Sequence, residues 1–394
     1  METTAAFAGF RCTDCGARHD SDESHRCPDC GGWLDAAYDH GEIDLDHEHL
    51  TPDDTAGLAA FADLLPFGAE TLVTLGEGAT PLLACPDLAA DLGVEAVYVK
   101  DEGASTTGAA LDRGMALAVT AAREHGATDV ALPSMGNSGQ AAAAYAARAD
   151  LDSHSFVPSR TPFVNKAMVN VHGGDMSVVG GRYADAAEAF QDAMGEEDWY
   201  SVAPFASPYR HEGMKTLAYE IAAQLDWAAP DAVVHPTSHG AGIVGLRKGF
   251  AELTTHDLLD DEARLYAAQA GGCAPYATAW EDGADDPAPV EHPDTIVGPL
   301  EIPDPAGGEW VIDALEATGG AAVATGDQGI LEGAVSLAET GVTMGASGGA
   351  ALSGAQVLAD QGAFDSDDVL VLVNPTTGNK EADILRSHLM SKGI

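Results

Sequence analysis

From Ala96 to Asn374, short runs of β-branched and apolar residues alternate with longer stretches whose apolar residues recur at helical spacing. A chain patterned this way folds as right-handed strand–helix–strand units on parallel sheets. The first series reads as strand 96–100, helix Arg113–His125, strand 129–134, helix 138–148, strand 154–159, a helix to about His172, strand 176–180 and helix Asp185–Met194. The second reads as strand 231–236, a helix from about Ile243, strands 264–269 and 321–325, helix 327–339 and strand 369–374. With 394 residues the chain is too long for one ordinary core. It is therefore expected to be an α/β protein with two parallel sheets, each in a three-layer arrangement between helices. The Pro-, Asp- and Gly-rich stretch 272–306 reads as a long surface loop. Ligands of such sheets collect beyond the carboxyl ends of the strands. The unusual loops sit there: Pro133–Gln140, Pro236–Gly242 and Asn374–Lys380.

Four of the six cysteines form two CxxC pairs, Cys12/Cys15 and Cys27/Cys30, with glycines after each pair. Two such knuckles close a tetrahedron of thiolates around structural zinc, a site with no open position for catalysis. His19 and His25 are expected to be exposed loop residues, and Cys85 and Cys273 buried small ones.

The charge balance is extreme: 18 Lys+Arg against 63 Asp+Glu, a net charge of −45. That excludes nucleic acid and anionic membranes as partners. The acids are spread along the chain, and 45% hydrophobic content is too high for disorder. This is the composition of a folded protein of a salt-rich cytoplasm, where self-repulsion is screened within about 3 Å at 1 M salt. The melting temperature is expected to fall as salt is lowered from molar to millimolar; an unchanged value would refute this. No apolar run is long enough to span a membrane, and METTAAFAGFRC is not a signal peptide.

Five segments in order resemble the threonine-synthase-like branch of the fold-type II pyridoxal-phosphate (PLP) enzymes: GEGATPL (76–82), VKDEGASTTGAALDRGMA (99–116), SMGNSGQAAAAYAARA (134–149), SPYRHEGMKT (207–216) and VHPTSHGAGIVG (234–245). An N-terminal zinc ribbon also occurs in some members. The resemblance implies a ribbon over 8–36 and a linker and lead-in over 37–75. It implies a larger α/β domain from 76–98 and 190–390, and a smaller one from 99–189. It implies a lysine that tethers PLP, a cofactor that acts as an electron sink. In threonine synthase this serves conversion of O-phosphohomoserine to threonine. Asn137 then matches the residue at the PLP ring oxygen, and Ser347 the hydroxyl near the pyridine nitrogen. Residues Ser238, His239, Gly240, Ala241 and Gly242 match the phosphate loop. Ser134, Ser138, Arg210 and Lys215 match substrate-binding positions.

This sequence departs from the pattern where it matters most. Gly108 and Asp112-Arg113-Gly114 align without a gap and put Leu111 at the lysine, with Thr106, Ala109 and Ala110 replacing Pro, Ser and Phe. Leucine has no nitrogen and forms no imine. Of the six lysines (100, 166, 215, 248, 380 and 392), Lys380 is the one substitute the loop order allows. The phosphate loop keeps only two glycines, although Ser238 has a hydroxyl to donate and His239 a charge to offer. Simpler roles stand beside these: Asn137 as cap of helix 138–148, Arg210 and Lys215 as structural ion-pair partners, Ser347 as a turn residue, His239 as a packed or surface histidine, and Asp112 and Arg113 as cap and charge balance of a helix start. Three functions compete. The first is a pseudoenzyme without covalent PLP chemistry that partners or regulates an active paralogue. The second is a working PLP lyase or synthase. The third is a non-catalytic amino-acid or anion binder. A homodimer is expected by analogy alone.

Overall fold

The computed structural model describes residues 1–20, 26–42, 50 and 57–393. Phe7–Cys12 (β1), Arg18–His19 (β2) and Leu34–Tyr38 (β3) form an antiparallel sheet in the order β2-β1-β3, with Cys12 opposite Leu34 and Arg11 opposite Asp35. After two short 3-10 turns come Leu82–Ala84 (β4), Pro86–Leu92 (α1) and Ala96–Asp101 (β5). The first alternating series runs Leu111–Glu124 (α2), Asp129–Pro133 (β6), Asn137–Arg148 (α3), Asp152–Pro158 (β7), Phe163–Val171 (α4), Asp175–Val179 (β8), Tyr183–Met194 (α5) and Tyr200–Ser201 (β9). Tyr209–Gln224 (α6) leads to Ala232–Pro236 (β10), Ala241–Thr255 (α7), Arg264–Ala270 (β11), Pro275–Asp282 (α8) and Gly308–Thr318 (α9). The chain continues through Ala321–Thr325 (β12), Asp327–Glu339 (α10), Gly349–Asp360 (α11) and Val369–Asn374 (β13) to Ala382–Ser391 (α12).

The chain divides into two compact units, one of 1–79 with 111–216 and one of 80–110 with 217–394. In the first, a four-stranded parallel sheet has the order β8-β7-β6-β9. One face packs under α2 and α3 through Met115, Val119, Val130, Leu132 and Tyr145, and Phe7, Phe10 and Leu34 of the N-terminal sheet join that same core. The other face packs Phe156 and Ala131 against Ala186 and Phe190 of α5. In the second unit, a six-stranded sheet has the order β12-β11-β10-β13-β5-β4. Its central strands β10 and β13 are buried almost throughout and read as continuous apolar runs, as strands covered on both faces must. Helices α1, α10 and α11 cover one face through Leu88, Ile330, Leu337, Ala351 and Leu358.

Both parallel sheets and every strand read from the sequence are present, but three points differ. Strand β5 pairs with β13 inside the six-stranded sheet, so residues 99–101 lie in the larger sheet rather than with 102–189. The smaller unit takes in the N-terminal sheet and continues to Thr216. The stretch 272–306 is no simple surface loop: it contains α8, and Tyr276, Ala277, Val297, Leu300 and Ile302 are buried. Its Pro and Asp residues cover the surface while these apolar residues between them supply core. Among the described residues no helix is long and apolar enough to cross a membrane.

Candidate functional site

In the first unit the chain leaves β6 through a turn that only glycine fits. Gly136 has φ +121°, and a Cβ there would sit 2.7 Å from Asn165. Helix α3 begins at the next residue. The Ser134 hydroxyl accepts the N–H groups of Gly136 and Gly139, each at 2.8 Å. Ser134 therefore does the capping that Asn137 was expected to do. Asn137 instead accepts Nδ2 of the buried Asn165 at 3.1 Å.

Beside this helix start lies Arg210, only 3% exposed. Its Nη1 donates to the carbonyl of Val202 at 3.2 Å, and its Nη2 lies 3.5 Å from the Ser138 hydroxyl. Among the described residues no carboxylate pairs with it. Burial lowers its pKa to about 10, with Tyr183 opposing, so it stays charged at neutral pH. A buried charge without a counter-charge costs several kcal/mol, roughly, unless an anion joins it. The positive end of α3, two of whose N–H groups Ser134 takes, favours the same sign of ligand. The structure thus brings Ser138 and Arg210 together beside Ser134, and not Lys215. The Lys215 ammonium lies 3.0 Å from Oε2 of Glu212 and 4.1 Å from the centre of the Tyr38 ring, with both ionic side chains fully buried. Lys215 is therefore committed to a structural pair rather than to substrate.

Leu111 opens α2 and is half-buried. Asp112 and Arg113, expected to cap and charge-balance this helix start, are both fully buried there. Arg113 donates to the Thr216 hydroxyl at 3.0 Å and ties α2 to α6.

In the second unit the loop after β10 ends at Gly240, whose φ of +98° caps α7. A Cβ there would press on Val311 and on the Tyr276 hydroxyl. Ser238 and His239 are half-buried. The His239 ring accepts the N–H of Ala306 at Nδ1, 3.2 Å away. That bond engages Nδ1 with the backbone of the same unit rather than with an anion. Behind the loop, His235 is buried with neither ring nitrogen hydrogen-bonded, and burial pushes its pKa down to about 4. Its ring occupies the space into which a Cβ on Gly242 would point.

Ser347 is not a plain turn residue. Its N–H and hydroxyl both donate to Oε2 of Glu381, at 3.1 and 2.9 Å. Glu381 is buried and its carboxyl is pushed up by desolvation. Sequence reasoning passed over Glu381, although it follows the Lys380 that was singled out. Lys380 is itself buried, its Cε 3.4 Å from where a Cβ on Gly108 would stand.

The four cysteine sulfurs lie within 4.8 Å of one another. Cys12–Cys30 is 3.5 Å and Cys15–Cys27 is 3.7 Å. Those separations are too long for disulfides and match sulfurs about 2.3 Å from a common tetrahedral ion. The N–H of Gly32 points at Cys30 at 3.4 Å, which stabilises a thiolate. His19 is not an exposed loop residue: its Nε2 lies 3.3 Å from Cys27, beside the cluster. His25 lies outside the described residues. Cys85 and Cys273 are buried, as expected.

A family model described as "Pyridoxal-phosphate dependent enzyme" matches residues 73–375. The threonine synthase of Methanosarcina acetivorans is 34% identical over 372 residues, covering 94% of this chain and 91% of that one. That of Methanocaldococcus jannaschii is 33% identical, covering 95% and 93%. Among solved structures, a fungal L-serine ammonia-lyase from Rhizomucor miehei superposes with TM-score 0.69 at 20% identity, covering 80% of this chain and 98% of that one. A diaminopropionate ammonia lyase from Escherichia coli gives TM-score 0.71 at 17% identity, covering 87% and 93%.

Proposed function

The chain belongs to the pyridoxal-phosphate-dependent enzymes, on their threonine-synthase-like branch, and from that premise we propose that it binds an anionic amino-acid ligand but holds no cofactor by a covalent tether. The reading rests on the side chain at the start of α2, Leu111, which the alignment of Gly108 and Asp112-Arg113-Gly114 on the family motif sets at the lysine position. Several residues still fit the cofactor. Gly240 starts α7 at a positive φ, the N-terminus of that helix favours an anion, and Ser238 adds a hydroxyl two residues before it. Asn137 in the first unit and Ser347 in the second each keep the residue type that the resemblance assigns to the ring, and a bound cofactor would supply an electron sink. Without an amine at 111, retained binding of cofactor is non-covalent, and the protein serves as a pseudoenzyme or regulatory paralogue rather than a synthase.

Arg210 is what gives such a protein a ligand. Its charge, which no described carboxylate neutralises, the Ser138 hydroxyl and the start of α3 together suit a carboxylate or phosphate. Arg210→Met removes the charge at nearly the same volume. Losing one partner of a buried charge pair costs on the order of 2–5 kcal/mol. Calorimetric titration with phosphoserine in molar salt is expected to show affinity falling at least thirtyfold, roughly, with the folded baseline intact. Equal affinity in the variant would remove Arg210 from the site.

Lys380 supports a second reading, an active enzyme tethered from the other side. It is buried and runs past Gly108, three residues before Leu111. Borohydride reduction in the presence of PLP, followed by peptide mapping, separates the two: an adduct on Lys380 would replace the first proposal with the second.

A further inference from the structure

The N-terminal sheet does more than sit beside the first unit's core; its polar side chains reach one helix start. Asp35, on β3, lies 2.9 Å from Nε2 of His211. Tyr38, at the end of the same strand, donates to Oε2 of Glu212 at 2.6 Å, and its ring lies under the Lys215 ammonium at 4.1 Å. Trp33 packs edge-on against Phe205, which stacks on His211 at 5.5 Å. Phe10, on β1, meets Tyr209 at 5.6 Å. Tyr209, His211, Glu212 and Lys215 form the first two turns of α6, and Arg210 stands between the first two of them.

Phe7, Phe10 and Leu34 anchor the N-terminal sheet to the first unit's core, but little regular structure holds the cysteine knuckles and the polar side chains of β3. The N-terminal sheet is three short strands, one of them two residues long. A piece that small draws part of its order from a bound metal. Its register ties the metal cluster directly to the clamp: Cys12 pairs with Leu34, and Arg11 with Asp35. Cys30 lies three residues before Trp33. If the thiolates lose their ion, β3 loses the frame that aims Asp35 and Tyr38. The buried Glu212–Lys215 pair then loses the phenol that completes it.

We infer that the ribbon is a metal-dependent clamp on the start of α6, with Asp35 and Tyr38 as positioning residues, so that metal loading decides whether Arg210 is presented to an anion. The second half rests on the reading of Arg210 given above; the first half does not. Hydrogen exchange read by mass spectrometry, on the full chain in molar salt, tests them separately. In the zinc-loaded protein, peptides covering 205–216 are expected to be protected. After chelation their exchange should rise at least tenfold, roughly, while 129–148 and 369–374 hold their protection. Re-adding zinc should restore it. Asp35→Asn combined with Tyr38→Phe should loosen 209–216 while zinc stoichiometry stays at one. Protection of 205–216 that survives chelation, while 8–38 exchanges freely, would overturn the clamp. So would a double variant indistinguishable from the parent. Titration with inorganic phosphate reads the second half: affinity lost on chelation supports it. Exchange that responds while phosphate binds in neither state would leave the clamp standing and remove the anion reading.

Discussion

Leu111→Lys is expected to turn a protein that retains no pyridoxyl group after borohydride reduction into one that carries it stoichiometrically on residue 111. The substitution is structurally mild. Residue 111 is half-buried at the first position of α2, where lysine is a good helix former and its ammonium can follow the chain outward. The chemical change is complete, because an aldehyde forms an imine with an amine and none with a methyl group. Incubation with PLP in molar salt, reduction and peptide mapping give the readout, with a new visible absorption band in the unreduced variant as a second sign. Two failures carry information. A parent protein that already yields a stoichiometric adduct sinks the untethered reading. A variant that folds, shown by unchanged circular dichroism, yet takes up nothing would place a second defect in the loop 238–242, where only Gly240 and Gly242 remain as glycines.

The strand–helix alternation made most of the fold readable, because buried parallel strands such as VLVLVN leave so little ambiguity of period or length. The motif residues fared unevenly, and for a physical reason. The loops Pro133–Gln140 and Pro236–Gly242 were placed at the strand ends, and within them Gly136 and Gly240 take positive φ, a conformation side chains disfavour. Side-chain partnerships were not legible, because they join residues far apart in the chain. Lys215 was matched to a substrate position with a structural ion pair as the alternative; the Glu212 pair fits the alternative, but Tyr38, 177 positions earlier, was not readable beneath it. Ser347 was matched to the hydroxyl near the pyridine nitrogen, and nothing local pointed to Glu381, which accepts from it. Arg210 was weighed as an ion-pair partner because acids outnumber bases so heavily, yet none of the described carboxylates pairs with it. The β5 assignment failed for a related reason: the family motif runs from strand to helix without a break, and nothing local shows that the chain changes units at residue 111.

Gly213→Ala is expected to destabilise the protein by about 2–3 kcal/mol, against the direction that helix propensity alone dictates. In an isolated helix the change would stabilise by about 1 kcal/mol. Here α2 and α6 meet backbone to backbone. A Cβ on Gly114 would stand 2.5 Å from the carbonyl oxygen of Arg210, and one on Gly213 would stand closer still to the carbonyl of Arg113. The two glycines are reciprocal, each making room for the other helix, and Arg113 locks the crossing through Thr216. Because the obstacles are main-chain carbonyls, no rotamer change relieves them and the helices must separate, as in other overpacked cores. Urea denaturation in molar salt measures the loss. Gly68→Ala is the control, since a Cβ there meets nothing within 4 Å, and it should leave the midpoint within about 0.5 kcal/mol of the parent. The same crossing sets where the Arg210 backbone lies, so the variant should also bind phosphoserine more weakly under conditions where it remains folded. A Gly213→Ala protein as stable as the parent would mean that the two helices pass farther apart than this structure has them. The link between the helix that carries Leu111 and the helix that carries Arg210 would then be lost as well.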